Sequence, residues 1–236
     1  MAPFGILYTT NTFLHARVTK ILAAAHLNNL NITIAPEFEY GVTNQTPEYK
    51  AKFPHGKIPA LETPSGFYLA EAAAIAYYVS ESGPFKDQLT GRTAEDRALV
   101  QMWMSFADLE VFLNATGILG PIMGVQKYIP ETVEEKEKQF VRALKRLEYH
   151  LAQEGKVWLV RDDEFSLADL SVAASLYWPL RFFMDDEYRK EYPKTMGWWE
   201  SLMGVEAVGK AFGAPVKLCE QRPPAEGSKP PAMKDQ

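Results

Sequence analysis

The sequence has a single cysteine, no long apolar run and no excess of basic residues. Cys219 alone excludes a disulfide framework within the chain and an all-cysteine metal site, and we interpret it as a bystander. No apolar stretch approaches the length needed to cross a bilayer. The first residues show no basic segment followed by an apolar one, so no secretory signal is predicted. These absences predict a cytoplasmic protein of a reducing compartment, without a membrane partner.

The charge balance and the histidines argue against two further classes of function. The 236 residues carry a formal net charge of -5, whereas nucleic-acid binding requires a basic face. We therefore predict no nucleic-acid partner. The four histidines show no spacing typical of metal ligands, so no metal site is predicted. The remaining composition is ordinary for a globular protein of one large or two small domains.

The first third of the sequence alternates strand and helix patterns. Short apolar runs predict strands, and apolar residues at helical spacing predict helices. A strand, a helix and a second strand of these lengths form a parallel crossover. A short helix opened by Thr46 and Pro47 follows, and then a hairpin and a last helix. The predicted strands are residues 4–8, 32–34, 57–61 and 67–69, and the predicted helices are residues 13–27, 47–53 and 70–81.

Beyond these elements the periodicity is helical throughout. Two capping boxes predict helix starts there, one from Thr93 to Asp96 and one from Ser166 to Asp169. The last residues are rich in proline and have few large apolar side chains. The predicted divisions are residues 1–84 as an α/β domain, 85–92 as a linker, 93–218 as an all-helical domain and 219–236 as a flexible tail.

Residues 57–61 have the pattern of a short strand that is entered through Pro59. If the Ile58–Pro59 peptide is cis, the bend leaves the N–H and C=O of Ile58 facing solvent, free to pair with an extended peptide. Further on, Glu71 and Ala72 begin a helix, and helix N-termini favour carboxylates. Two interpretations remain open at this point: a site for a small, acidic, peptide-like ligand, or a hairpin and helix without a ligand.

The order of a small α/β domain, a linker and a helical domain resembles the cytosolic glutathione transferases over about residues 4–218. The motifs that carry the resemblance are residues 57–61, the helix start at 71–72 and the capping box within 165–169. The resemblance implies an α/β thioredoxin-like N-terminal domain followed by an all-α C-terminal domain. Within the superfamily, four segments are similar to the N-terminal domain of the elongation factor 1B gamma subunit; they are residues 43–49, 52–57, 75–80 and 216–220.

The resemblance implies glutathione as a substrate and gives roles to five residues. Ile58 would hydrogen-bond the cysteinyl backbone, with Pro59 cis, and Lys57 would approach the glycine carboxylate. Glu71 would hold the γ-glutamyl amine, and the helix start at Ala72 would hold its carboxylate. The family usually has serine or threonine at the position of Ala72. The missing hydroxyl bond costs roughly 0.5–1.5 kcal/mol, or up to about tenfold in affinity.

Conjugation requires a glutathione thiolate, and the resemblance places its stabilising donor just after the first strand. The thiol pKa of about 8.5 must fall by about two units, which takes roughly 2.7 kcal/mol. A hydroxyl or amide donor near a helix N-terminus can contribute a bond of this size. Tyr8 falls near the position of the catalytic tyrosine in tyrosine-type classes. A tyrosine there is only a strand residue in serine-type classes, whose serine position corresponds to about Phe13, which cannot donate. The candidate donors are Tyr8, Thr9, Thr10, Asn11 and Thr12.

The resemblance also implies a homodimer and an apolar electrophile bound between the domains, with Trp103 and Phe106 as the pocket wall. Three functions stay open. The first is conjugation of glutathione to a small apolar electrophile. The second is a transferase-like scaffold that binds elongation factor 1B subunits with little or no catalysis, and the third is glutathione binding without turnover. No cysteine lies in the loop after the first strand, which disfavours cysteine-dependent thiol transfer.

Overall fold

A four-stranded mixed sheet forms the centre of the N-terminal part of the protein. The computed structural model describes residues 2–224. The strands are β1 (Pro3–Tyr8), β2 (Asn31–Ile34), β3 (Ala60–Glu62) and β4 (Tyr68–Ala70). They lie in the order β2-β1-β3-β4. The β1 strand pairs in parallel with β2 and antiparallel with β3, and β3 pairs antiparallel with β4. The predicted crossover and hairpin are both confirmed.

Helices make up the rest of the fold, in agreement with the predicted fold class of an α/β part followed by an all-α part. A 3₁₀ turn at Thr43–Gln45 precedes α2, and a π-helical segment at Ala107–Phe112 joins α5 to α6. The helices are α1 (Ala16–Leu27), α2 (Pro47–Lys52), α3 (Ala72–Glu81), α4 (Lys86–Thr90), α5 (Ala94–Phe106), α6 (Leu113–Ile122), α7 (Pro130–Leu151), α8 (Leu167–Phe182), α9 (Asp186–Lys190), α10 (Pro193–Met203) and α11 (Glu206–Phe212).

Local capping signals were sufficient to predict three of these helix starts. The Thr46 hydroxyl accepts from the Tyr49 amide at the start of α2. Both predicted capping boxes form, at Thr93 for α5 and at Ser166 for α8. In the second box, Asp169 is fully buried and its Oδ2 accepts from the Ser166 amide at 2.8 Å. Side-chain oxygens here satisfy amides that the first helical turn leaves without intrahelical partners.

One apolar core joins the sheet to the helical part. It includes Leu7 of β1, Ile21 of α1, Val79 of α3 and Leu176 of α8, which are all fully buried. The α8 helix is buried on nearly all sides because it packs between α1 and α5. Since α1 also lies against α8, the loop that precedes α1 is held at the boundary between the two parts.

Three boundaries differ from the predictions made from sequence. Residues 57–59 are a bend rather than strand, because β3 begins only at Ala60; the Ile58–Pro59 peptide within the bend is cis, as the resemblance implied. The α1 helix begins at Ala16 rather than at residue 13, and His15 caps it. The predicted linker 85–92 contains α4, whose Leu89 is fully buried.

The start of the predicted tail is also packed. The Cys219 amide donates to the Leu180 carbonyl at 2.8 Å, and Cys219 is buried. Two nitrogens of Arg222 bond the Glu137 carboxylate at 2.5 and 2.8 Å. The ion pair between Arg222 and Glu137 of α7 therefore holds a segment whose composition predicted flexibility. Residues 225–236 of that prediction lie outside the described residues.

Candidate functional site

Strand register brings three separated segments to one end of the sheet. Tyr8 lies opposite Ala60, and Ala60 lies opposite Ala70. The β1 and β4 strands both run toward this end, and β3 starts there. The residues just beyond the paired positions are therefore neighbours; they are Thr9 and Thr10 after β1, Ile58 and Pro59 before β3, and Glu71 after β4.

The bend before β3 is fixed by side chains from the 3₁₀ turn and α2. Asn44 Nδ2 donates to the Gly56 carbonyl at 2.6 Å, and the Tyr49 hydroxyl donates to the Lys57 carbonyl at 2.7 Å. Burial raises the pKa of Tyr49 to about 12, so this hydroxyl keeps its proton. Within residues 2–224, neither the N–H nor the C=O of Ile58 has a hydrogen-bond partner. Ile58 therefore presents a free donor and acceptor on a rigid bend.

The N-terminus of α3 is open on the same side. Glu71 precedes the helix with φ 67° and ψ 117°, and its side chain makes no capping bond. Left-handed backbone is costly for a residue with a side chain and is found mainly where the surrounding structure enforces it, often at functional sites. The exposed carboxylate thus lies beside free helix amides that attract an anion. One cation and one anion can bind next to each other here.

A cavity of about 230 Å³ lies between this end of the sheet and α8. An adjoining cavity of about 310 Å³ lies behind the loop that follows β1. The two cavities share Thr10, Phe13 and His15, and together they are called the cleft below. A larger depression of about 850 Å³ between α1 and α11 contains none of the three segments. The first cavity is lined by Thr10, Phe13, His15, Tyr40, Lys57, Ile58 and Trp178.

His15 was not predicted as a site residue, yet it lines both cavities. Its Nδ1 accepts from the Arg17 amide at 3.3 Å and so caps α1. Burial, together with the nearby Arg17 charge, lowers the pKa of His15 to about 4. The ring packs edge-on against Trp178, with centroids 5.1 Å apart. A polar residue directly before a helical pattern was the available signal, but it indicates a cap and says nothing of a cleft.

The predicted donors after β1 are not equally available. Asn11 Nδ2 is engaged by the carbonyls of Ala35, Pro36 and Phe38 at 3.1, 3.3 and 3.3 Å, so it ties this loop to the segment after β2. The Thr10 and Thr12 hydroxyls bond each other at 2.8 Å. Of these two, only Thr10 lines the cavity that contains Ile58.

Tyr8 points away from the cleft. Its hydroxyl donates to Glu62 Oε2 at 2.6 Å, and its ring lies edge-on to Phe38, Tyr49 and Phe53. Burial and then the Glu62 carboxylate raise the pKa of Tyr8 well above its ordinary value. The strand alternation that buries Leu7 on one face turns Tyr8 to the other. The Tyr8 hydroxyl is thus engaged by Glu62, and Tyr8 lines neither cavity, so the geometry favours a different thiol donor.

The two residues predicted as the electrophile wall, Trp103 and Phe106, line neither cavity. Trp103 and Phe106 are 2% and 4% exposed. The Trp103 ring packs on His150 of α7 with centroids 4.9 Å apart, and Arg146 lies over both aromatic rings. The apolar stripe of α5 faces the helical core, and helical spacing does not distinguish a core stripe from a pocket wall. The cleft wall is supplied instead by Phe13 and Trp178, with centroids 6.2 Å apart.

Comparison with known proteins agrees with this architecture. The sequence profile of the glutathione S-transferase N-terminal domain matches residues 5–81, and that of the C-terminal domain matches residues 106–206. A glutathione S-transferase-like protein of Fusarium sp is 41% identical over 215 residues, covering 91% of this chain and 95% of that protein. The chain belongs to the glutathione S-transferase family. The resemblance and fold class predicted from sequence are confirmed.

This glutathione S-transferase family member is also similar to one further relative in sequence and to one solved structure. Elongation factor 1-gamma of Sus scrofa is 34% identical over 208 residues, which cover 87% of this chain but only 46% of that protein. Among solved structures, a glutathione transferase of Phanerochaete chrysosporium in complex with oxidized glutathione aligns with a TM-score of 0.78. It covers 90% of this chain and 96% of that chain at 20% identity, so the likeness concerns the fold.

Other features of this family member lie apart from the cleft. Within residues 2–224, no group of histidine, cysteine or acidic side chains is arranged to hold a metal ion. None of the helices in that range combines the length and the apolar character that a membrane span requires. Burial raises the pKa of the Cys219 thiol, whose sulfur bonds the Gln221 carbonyl at 3.3 Å. This thiol lines neither of the two cavities.

Proposed function

We propose that this protein binds glutathione and conjugates its thiol to small apolar electrophiles. The observation that carries the proposal is the meeting of Thr10, Ile58 and Glu71 at one end of the sheet, beside the open N-terminus of α3. Glutathione is an extended, acidic peptide with one ammonium group. The free groups at this end of the sheet match that pattern of charges and hydrogen bonds.

The binding roles follow from the chemistry of each group. The N–H and C=O of Ile58 pair with the cysteinyl backbone in the manner of an added strand. Glu71 takes the γ-glutamyl ammonium, and the α3 amides beginning at Ala72 take the neighbouring carboxylate. Lys57, exposed at the rim of the cavity, takes the glycine carboxylate. The solved glutathione transferase of Phanerochaete chrysosporium, whose fold this chain shares, holds oxidized glutathione.

The cysteinyl sulfur then faces the 230 Å³ cavity between Ile58 and Trp178. Of the predicted hydroxyls, Thr10 is the one that lines this cavity, and its proton is free for the sulfur when the Thr12 hydroxyl donates the bond between the two. Deprotonated sulfur attacks the electrophile, the new carbon–sulfur bond forms, and a leaving group such as halide departs. The thiol proton is lost to solvent. Phe13 and Trp178 favour flat, apolar electrophiles of small size, since the cavity is below the usual range for larger ligands.

The test is retention on immobilised glutathione together with conjugation of an aryl halide. We expect retention and turnover for the wild-type protein. Glu71→Gln should lose roughly tenfold or more in glutathione affinity, because it removes a charge-assisted bond. Glu131→Gln is the matched control, since Glu131 is an exposed acid at the start of α7 that lines neither cavity. No retention and no turnover by the wild-type protein would refute the proposal.

We also propose a homodimer. Support comes from exposed apolar side chains on α5, at the start of β4 and just before it, and in the segment from the π-helical turn into α6; they are Leu99, Met102, Leu109, Leu113, Phe67 and Tyr68. Leu109 is 62% exposed, which is unfavourable for an apolar side chain left in water. Light scattering should give twice the chain mass, and Leu109→Glu should shift the protein toward the monomer. A wild-type monomer at high concentration would contradict this assembly.

The second candidate function is a scaffold that binds elongation factor 1B subunits. The likeness to elongation factor 1-gamma, 34% identity over 208 residues, favours it. A scaffold has no need of the free groups at Ile58 and Glu71. Purified exchange-factor subunits should then bind the protein in a pull-down, while Glu71→Gln changes neither that binding nor any turnover. Turnover that falls with Glu71→Gln decides for the enzyme.

A further inference from the structure

The two ring nitrogens of His15 have different surroundings. Nδ1 is occupied as an acceptor for the Arg17 amide at 3.3 Å. Nδ1 therefore carries no proton, and a neutral imidazole with this bond carries its proton on Nε2. In the described part of the chain, Nε2 has no hydrogen-bond partner, and it is not among the enclosed polar atoms that lack one. Nε2 is therefore a donor without a partner, on a ring that lines both cavities.

The surroundings hold the ring in this position and in this protonation state. His15 packs edge-on to Trp178 and stacks on Phe13 at 6.5 Å between centroids. The charged or titratable groups around it are Arg17 on its own helix, and Lys57 and Tyr40 across the cavity. Burial and Arg17 lower the pKa of His15 to about 4, so it stays a neutral N–H donor throughout the neutral range.

We propose that the Nε2–H of His15 is a catalytic donor that stabilises the glutathione thiolate in this cleft. The inference rests on the proposed binding of glutathione and adds a residue to it. His15 and Ile58 line the same cavity, so a sulfur placed by the Ile58 backbone lies within the space that the imidazole faces. His15 keeps its proton throughout the reaction, while the thiol proton leaves to solvent. Thr10, which lines the same wall, is the second donor.

Two variants separate this role from the structural role of His15. His15→Asn retains an oxygen that caps α1 but removes the donor at the Nε2 position. His15→Gln places an amide N–H near the Nε2 position. Both lose the ring contacts with Trp178 and Phe13, so each is a control for the other. The measurement is the pH dependence of thiolate ultraviolet absorbance in the complex with glutathione, beside the pH profile of kcat/KM for an aryl halide.

We expect His15→Asn to raise the pKa of bound glutathione by about one unit, which reduces the thiolate fraction up to about tenfold below that pKa. His15→Gln should remain near the wild-type value, and glutathione Kd should change little in either variant. An unchanged pKa in His15→Asn, or equal rises in both variants, would overturn the role of His15 while leaving glutathione binding intact. If the wild-type protein binds no glutathione, the proposed function fails and this inference fails with it.

Discussion

Replacing Tyr8 by phenylalanine tests the geometry of the cleft most directly. The substitution removes the 2.6 Å hydrogen bond to Glu62 and leaves the ring in place among Phe38, Tyr49 and Phe53. A hydrogen bond to a charged group contributes roughly 1.5–3 kcal/mol. Glu62 keeps Lys52 Nζ at 2.7 and 2.9 Å, and its side chain is 21% exposed to water. The expected loss therefore falls below that range, about 1 kcal/mol in the free energy of unfolding.

The loss should depend on pH in a definite direction. Burial pushes the pKa of Glu62 upward, but the bonds from Lys52 and Tyr8 outweigh it and hold that pKa below its usual range. A carboxylate with a lowered pKa in the folded state contributes stability above its unfolded pKa, and that contribution is lost as the pH falls through the folded pKa. The difference between Tyr8→Phe and wild type should therefore be greatest near neutrality and shrink in acid.

Urea unfolding followed by tryptophan fluorescence measures the free energy of unfolding, and steady-state conjugation of an aryl halide measures kcat/KM. We expect kcat/KM for an aryl halide to stay within about twofold, because the hydroxyl does not face the cleft. A tyrosine that bonded the thiolate would instead give a loss of roughly tenfold or more. Such a loss, with unfolding free energy unchanged, would show that Tyr8 faces the sulfur and that the account of this strand is wrong.

Three further substitutions examine the anion site, the cleft wall and the helical core. Ala72→Ser should tighten glutathione binding up to about tenfold in calorimetry by adding a hydroxyl donor, and an unchanged Kd would mean that the hydroxyl does not reach the ligand. Trp178→Ala should raise KM for an aryl halide about two- to tenfold while glutathione Kd holds; an unchanged KM would place the electrophile elsewhere. Asp169→Ala should lower the unfolding free energy by at least about 3 kcal/mol, since it leaves the Leu159 and Ser166 amides and the Trp198 indole N–H without their buried acceptor. Thermal unfolding close to wild type would contradict that.

The residues that sequence could predict are those whose signal is local. Thr46, Thr93 and Ser166 cap helices because a side-chain oxygen reaches amides only two or three residues away, and all three do so. Residues 57–61 and Glu71 could likewise be singled out from short motifs, although β3 begins only at Ala60. The register that brings Thr10 to Ile58 depends on long-range pairing, and no residue pattern encodes that distance.

Aromatic residues show where local patterns stop being informative. Trp103 on α5 and Trp178 on α8 both occupy apolar helical positions, yet one is 2% exposed in the core and the other lines the cleft. Which of them meets a cavity depends on how α8 packs between α1 and α5. The same holds for Tyr8 and His15. The Tyr8 hydroxyl is bonded to Glu62, whereas the His15 imidazole lines both cavities of the cleft.

The sequence by itself determined the α/β and helical halves, the caps and the short motifs around Ile58 and Glu71, because each depends on neighbours a few residues apart. Only the tertiary structure decided which donors face the cleft. Asn11 is occupied by three carbonyls after β2, Tyr8 by Glu62, and Trp103 by the helical core. The availability of a polar or aromatic group is set by partners distant in the chain, and these appear only when the strands and helices are packed together.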